Sequence, residues 1–194
     1  MLENIIFYIN VFFFVYMFIY AIVFFLTTLL ATFDLDDFFE RKNHQSSIKL
    51  DHDENYIPIS ILVPAYNEEL TIVDAIESLL SLDYPEYEII VINDGSTDKT
   101  LENVIKKYDL KENKRIIRKQ VKCKPINHVY ENNSKVKIVL IDKSNGGKSD
   151  ALNAGINVST YPLFVCMDAD SLLQKDALKK IVEPYLENDS TIAV

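Results

Sequence analysis

Four short polar clusters hold the side chains of this chain that could do chemistry. They are Pro64-Ala65-Tyr66-Asn67-Glu68-Glu69, Asn93-Asp94-Gly95-Ser96-Thr97-Asp98, Asp142-Lys143-Ser144-Asn145-Gly146-Gly147-Lys148 and Asp168-Ala169-Asp170. Tyr66 offers a planar ring on which a base can stack. Asp94 can accept from a base N–H, and so select among bases. Lys148 follows two glycines, which puts a positive charge where backbone can come close to phosphates. Asp168 and Asp170 can hold a hard divalent ion through oxygen ligands, with the ion bridging a diphosphate. The chemistry they suggest together is the binding of a nucleoside diphosphate.

Taken singly, each cluster is ordinary. NDGSTD also reads as an Asx turn with a helix cap, Asn145-Gly146-Gly147 as a turn, and Lys148 as a surface charge. Asp-x-Asp recurs at Asp34/Asp36 and Asp51/Asp53, and only Asp168/Asp170 follows an apolar run that reads as a buried strand. A full GxxxxGK[ST] loop is absent, although Gly147-Lys148-Ser149 matches its end. No GxGxxG supports a nicotinamide or flavin dinucleotide.

What raises the four clusters above chance is where they fall. Apolar runs at 57–64, 87–94, 136–142 and 161–168 read as strands. Helical periodicity lies between and after them, at 71–82, 97–108, 149–157 and 177–186, the last interrupted near Pro184. A further apolar run begins at Thr191. Continuous apolar strands separated by helices predict an α/β fold with a mainly parallel sheet covered on both faces. Each polar cluster immediately follows a strand, at the carboxyl ends where such sheets bind ligands.

The chain has 194 residues and a formal charge of −9. It is long enough to bury a core without staples, and its two cysteines, Cys123 and Cys166, form no disulfide framework or zinc cluster. The acidic balance argues against nucleic acid as a partner. The N-terminus differs in kind. From Asn4 to Phe33 no residue is charged, longer than the ~20 residues that cross a bilayer and than the ~7–15 of a signal-peptide core. Glu3 and the lack of any preceding Lys or Arg also argue against a signal peptide. Residues 4–33 therefore predict a transmembrane helix. Arg41, Lys42 and Lys49 follow it, which places the C-terminal side in the cytoplasm.

Residues 34–56 read as a polar juxtamembrane linker, with Phe38 and Phe39 suited to the interface and His44 and His52 solvated. Residues 109–135 form an insertion between helix and strand. They carry eight Lys or Arg against three Asp or Glu, and read as a solvated loop that could also meet anionic lipid heads. Cys123 reads as a plain cytosolic thiol in this loop, Cys166 as core packing in its strand.

The segments ISILVPAYNEE, YEIIVINDGSTDKT, NGGKSDALNAGIN and FVCMDADSLL, in this order, resemble the nucleotide-binding half of a family 2 glycosyltransferase over about residues 57–194. With the preceding span, the chain resembles the membrane-bound processive members: poly-N-acetylglucosamine synthases, with hyaluronan, chitin and cellulose synthases as relatives. The resemblance implies a GT-A fold, a UDP-sugar donor, Mg2+ or Mn2+, inversion at the anomeric carbon, and a glycan or lipid-linked acceptor. It implies that Pro64, Ala65, Tyr66, Asn67, Glu68 and Asp94 line the nucleoside pocket and that Lys148 lies near the nucleotide. Asp168 would contact the ribose or the metal, and Asp170 would ligate the metal.

The base carboxylate and the Gln-x-x-Arg-Trp motif of processive members have no match here, and the chain holds no Trp. The expectation is an N-terminal portion that is inactive alone, its base lying beyond Val194. A non-catalytic nucleotide-sugar-binding module, or transfer to a lipid phosphate, are the alternatives.

Overall fold

A computed structural model describes residues 2–45, 56–115, 117–187 and 191–194, in two compact units, Met1–Glu54 and Asn55–Val194. The first unit contains one helix, α1 (Leu2–Gln45). Its stretch Leu2–Ala31 is apolar on every side and none of it is buried. Thirty residues at 1.5 Å each reach about 45 Å, more than a hydrocarbon core of ~30 Å. The hydroxyls of Thr27 and Thr28 donate to the Phe24 carbonyl at 2.9 and 2.8 Å, which spares them unmet hydrogen bonds on an apolar surface. This helix is long and apolar enough to cross a membrane.

The helix does not stop at Phe33. It continues through Asp34 to Gln45, so the first half of the expected linker is helical. No glycine or proline lies between Asp34 and Gln45 to end it. Residues 46–55 of that linker, with Lys49, His52 and the Asp51/Asp53 triplet, lie outside the described residues.

The second unit is a six-stranded sheet in the order β3-β4-β5-β2-β1-β6. The strands are β1 (Ile59–Ala65), β2 (Tyr87–Asn93), β3 (Lys111–Glu112), β4 (Ile126–Glu131), β5 (Lys137–Lys143) and β6 (Leu163–Cys166). β5, β2, β1 and β6 run parallel, as their apolar runs predict. Their side chains alternate between two cores. Ile61, Val63, Ile89, Val91 and Leu140 meet α2 (Ile72–Leu80), α3 (Thr100–Lys107) and α5 (Ala177–Glu187) on one face. Leu62, Ile90, Ile92, Val139 and Ile141 meet α4 (Lys148–Val158) on the other. Both faces of β1, β2 and β5 are covered, which is why these strands read as near-continuous apolar runs, while the edge strand β6 leaves Phe164 and Cys166 exposed.

α4 sits very close to the sheet. A Cβ on Gly155 would lie 3.1 Å from Ile92 Cδ1 and 3.2 Å from Leu62 Cδ2, so glycine there sets the approach. Register aligns the strand ends: Ala65 pairs with Asn93 and Asn93 with Asp142. Leu62 pairs with Cys166, and the Met167 amide donates to the Leu62 carbonyl. Asp168 and Asp170 thereby follow β6 at the level where β1 ends.

Several sequence expectations change. Residues 109–135 are not a plain loop, since they contribute β3 and the antiparallel β4. β4 reads INHVYE, and only Val129 in it is buried, so no apolar run marked it. Thr191–Val194 is no strand; it has no regular structure, and Ile192 is almost wholly exposed. Cys166 is exposed on the edge strand rather than packed in the core, while Cys123 is half-buried against the α4 face. α5 also continues through Pro184 to Glu187.

Candidate functional site

A cleft of about 490 Å³ opens at the carboxyl ends of the parallel strands, within the usual ~300–1,000 Å³ of small-ligand pockets. Pro64, Ala65, Tyr66 and Glu68 line it after β1, Asp94 after β2, and Asn145, Gly147 and Lys148 after β5. Asp168, Ala169 and Asp170 line it after β6. Sheet order thus gathers the four clusters into one concavity. Tyr66 is half exposed at its rim, with its ring free to meet a planar group.

Asn67 does not line the cleft. It takes a left-handed backbone conformation, φ 57°. Its side-chain oxygen accepts from the Thr97 amide at 2.8 Å, and its own amide donates to Ser96 Oγ at 3.0 Å. Glu68 N–H donates to Thr100 Oγ1 at 2.8 Å, and the Lys99 amide to Glu69 Oε2 at 3.0 Å. The loops after β1 and β2 are therefore zipped together. Asp98 ties the same junction, accepting from the Thr100 amide at 2.9 Å and the Glu69 amide at 3.1 Å. Burial pushes its carboxyl up, but these donors outweigh that and hold it below the usual carboxylate range.

Asp94 is the hub of the site. Its backbone N–H donates to the Ala65 carbonyl at 3.0 Å. Its carboxylate, 3% exposed as a residue, accepts from the Gly146 amide at 3.0 Å and the Gly147 amide at 2.7 Å. The buried Lys143 ammonium lies 2.5 Å from Asp94 Oδ1 and 2.7 Å from Asp150 Oδ2, and donates to the Ser144 carbonyl at 2.7 Å. Burial would lower the Lys143 pKa, but hydrogen bonds to Asp150 and Asp94 and their charges hold it above its ordinary value. Asp150 is held low, chiefly by its bond from Lys143.

The consequence is a fixed turn. Gly147 has φ +87°, a conformation that side chains resist. It leads directly into α4, whose first turn lines the cleft with Lys148 and Ala151. A helix N-terminus with free amides and a lysine favours an anion. Lys148 pairs with Asp168, and both side chains are more than half exposed, so each can exchange its partner for a ligand. Although Cys166 is exposed as a residue, partial desolvation of its thiol by neighbouring groups raises its pKa, against the opposing pull of Lys148.

Residues 60–194 match the family model described as Glycosyl transferase family 2. The chain belongs to that family. A poly-beta-1,6-N-acetyl-D-glucosamine synthase of Staphylococcus epidermidis is 35% identical over 153 residues, taking in 78% of this chain and 31% of the relative. A protein of the same name from Staphylococcus aureus is 32% identical over 152 residues, with shares of 78% and 30%. The match thus spans less than a third of the length of these curated relatives. The solved mannosyltransferase PcManGT from Pyrobaculum calidifontis, in complex with GDP-Man and Mn2+, is similar with a TM-score of 0.53. It is 21% identical, over 75% of this chain and 39% of that one. That likeness speaks for the fold, which is the GT-A architecture expected of a family 2 glycosyltransferase.

Within this family 2 fold, residues from all four sequence clusters meet at one cleft beyond the strand ends. The clusters did not single out Lys143, Asn145 or Asp150. Lys143 and Asp94 lie 49 positions apart, and nothing in spacing alone joins them. The one available signal was a lysine at the end of an apolar strand, where a buried charge requires partners.

Proposed function

We propose that this chain carries the donor-binding chemistry of a membrane-anchored, inverting glycosyltransferase that uses a UDP-sugar, of N-acetylglucosamine type, to extend a glycan at the cytoplasmic membrane face. The observation that carries this reading is the single cleft holding an aromatic rim, a buried carboxylate, a helix N-terminus with Lys148, and the pair Asp168 and Asp170. Tyr66 stacks on the base, and Asp94, already orienting the Gly146–Gly147 turn, uses its remaining acceptor capacity on a base N–H. Lys148 and the first amides of α4 face the diphosphate. The names of the staphylococcal relatives support the sugar type. Arg41, Lys42 and Lys49 after the span support the orientation.

A divalent cation suits this donor set. Asp168 and Asp170 supply hard oxygens, and among the described residues no group of three or more His, Cys, Asp or Glu encloses an ion. Mg2+ or Mn2+ would therefore complete its shell with phosphate oxygens and water. Bound there, it would supply Lewis-acid stabilisation of the leaving diphosphate. Lys148 shifts its charge from Asp168 to phosphate as the donor enters, which frees the carboxylate. No residue of the chain is assigned as general base.

Calorimetry with nucleotides tests this reading. UDP should bind more tightly than ADP or GDP, and more tightly again with Mn2+. Asp170→Asn should cut the Mn2+ enhancement roughly tenfold, about 1.4 kcal/mol, while Asp36→Asn and Asp53→Asn should leave it unchanged. Equal affinities for the three nucleotides, or an undiminished enhancement in Asp170→Asn, would overturn the respective assignments.

A further inference from the structure

The segment Lys114–Lys124 contains no Asp or Glu. The fold divides its cations into two sets. Arg115 turns inward, 3.5 Å from Glu88 and 3.6 Å from Glu131. Lys114, Arg118, Lys119 and Lys122 are exposed, and none of them has an ion-pair partner among the described residues. Lys124, also exposed, spends its ammonium on the Asn145 carbonyl.

From Arg118 to Lys124 this loop is held rather than loose. Three α4 side chains one or two turns apart grip its backbone. Asp150 accepts from the Lys124 amide at 3.0 Å, and Asn153 donates to the Lys122 carbonyl at 3.0 Å. Asn157 accepts from the Gln120 and Val121 amides, both at 2.9 Å, and donates to the Val121 carbonyl at 2.7 Å. The Arg118 amide reaches the Asn157 carbonyl at 2.9 Å. Asn157 itself is buried. Between the cations, Val121 turns an apolar side chain outward. Between Arg118 and Lys124 a pinned backbone thus displays unneutralised cations around the exposed Val121, on a chain that is otherwise strongly acidic.

We propose that this loop is a docking surface for the anionic phospholipid heads of the membrane that α1 enters. The proposal rests on reading α1 as a membrane-crossing helix. That helix keeps a lipid surface at high local concentration for the same chain. Cations flanking an exposed apolar residue suit the boundary between headgroups and acyl chains. A long polyanion such as nucleic acid would meet the acidic remainder of the domain as well, whereas a headgroup layer meets only what faces it. Docking here would engage the backbone of the loop whose end, at Lys124, abuts the cleft turn at Asn145.

Amine acylation read by mass spectrometry tests it, with the full chain reconstituted into vesicles of phosphatidylcholine or of phosphatidylcholine with phosphatidylglycerol. Lys106 and Lys107 of α3 serve as internal references. Anionic lipid should slow acylation of Lys114, Lys119 and Lys122 roughly threefold relative to the references, and about 0.5 M salt should remove the effect. The double substitution Lys119→Glu/Lys122→Glu, checked for an unchanged circular dichroism spectrum, should abolish the protection of Lys114. Equal reactivity in both lipids overturns the proposal. So does equal protection by soluble glycerophosphoglycerol, which would assign a free-anion site.

Flotation separates this from the reading of α1. A chain that floats with phosphatidylcholine alone yet shows no lipid-dependent protection keeps the anchor and loses the docking surface. A chain that floats only with anionic vesicles removes the anchor on which the proposal rests and so overturns it; one that floats with neither removes both.

Discussion

Lys143 carries its charge out of water, and it does so because three oxygens surround it. Asp94, Asp150 and the Ser144 carbonyl all lie within 2.7 Å of its ammonium. The same Asp94 carboxylate receives the Gly146 and Gly147 amides, so one buried ion pair fixes the turn that presents Lys148. Removing the lysine leaves a buried carboxylate without its cation, and such breakage costs about 3–5 kcal/mol. Lys143→Met should lower stability by that order in urea unfolding, followed by tyrosine emission because the chain has no Trp. Asp94→Asn in the Lys143→Met background should recover part of the loss, since the orphaned charge is gone. A loss below about 1 kcal/mol, the size of an exposed pair, would show that water reaches the pair. By contrast, Lys148 and Asp168 are exposed, and their pair is available for exchange.

At the scale of elements, α4 does two jobs with two faces. Its small residues Ala151, Ala154 and Gly155 let it lie against β1 and β2. Its polar face, Asp150, Asn153 and Asn157, grips the basic loop. The helix period of 3.6 explains the second set, because positions i, i+3 and i+7 share a side. Asn157→Ala would strip the Gln120 and Val121 amides of their acceptor and the Val121 carbonyl of its donor. The expected cost is about 1–3 kcal/mol, with faster tryptic cleavage after Lys119 and Lys122 than in the unaltered chain. Unchanged cleavage would mean that the loop is held by other contacts. The sequence marked α4 by its periodicity, but its two roles were not legible, because the loop that it grips follows β3 and precedes β4. β4 was missed for a related reason: its order I-N-H-V-Y-E alternates poorly and buries only Val129.

For the whole molecule, charge and hydropathy are distributed unevenly. A helix that is uncharged from Asn4 to Phe33 precedes an acidic α/β unit, and the basic residues after that stretch set its expected direction. Trypsin added to sealed cells should leave residues 57–194 intact and should cut them once the membrane is opened. Digestion in sealed cells would reverse the orientation.

The sequence by itself determined the features that depend on near neighbours. The apolar stretch Leu2–Ala31, the four parallel strands, the helices between them and the polar clusters at strand ends all follow from local period and composition. The α/β architecture followed from these, because strands apolar on both faces must be covered on both faces. Even so, the first helix ran past its apolar stretch to Gln45, since nothing in Asp34–Gln45 breaks a helix. Only the tertiary structure decided which polar groups serve the cleft and which serve the fold. Asn67 and Asp98 zip two loops together, whereas Asp94 both lines the cleft and holds a turn more than fifty residues downstream. Sheet order brings β1 beside β2 and β2 beside β5, and that order creates these neighbours. The pairing energy of a buried charge depends on distance in space, and sequence spacing carries no record of that distance until the sheet is assembled.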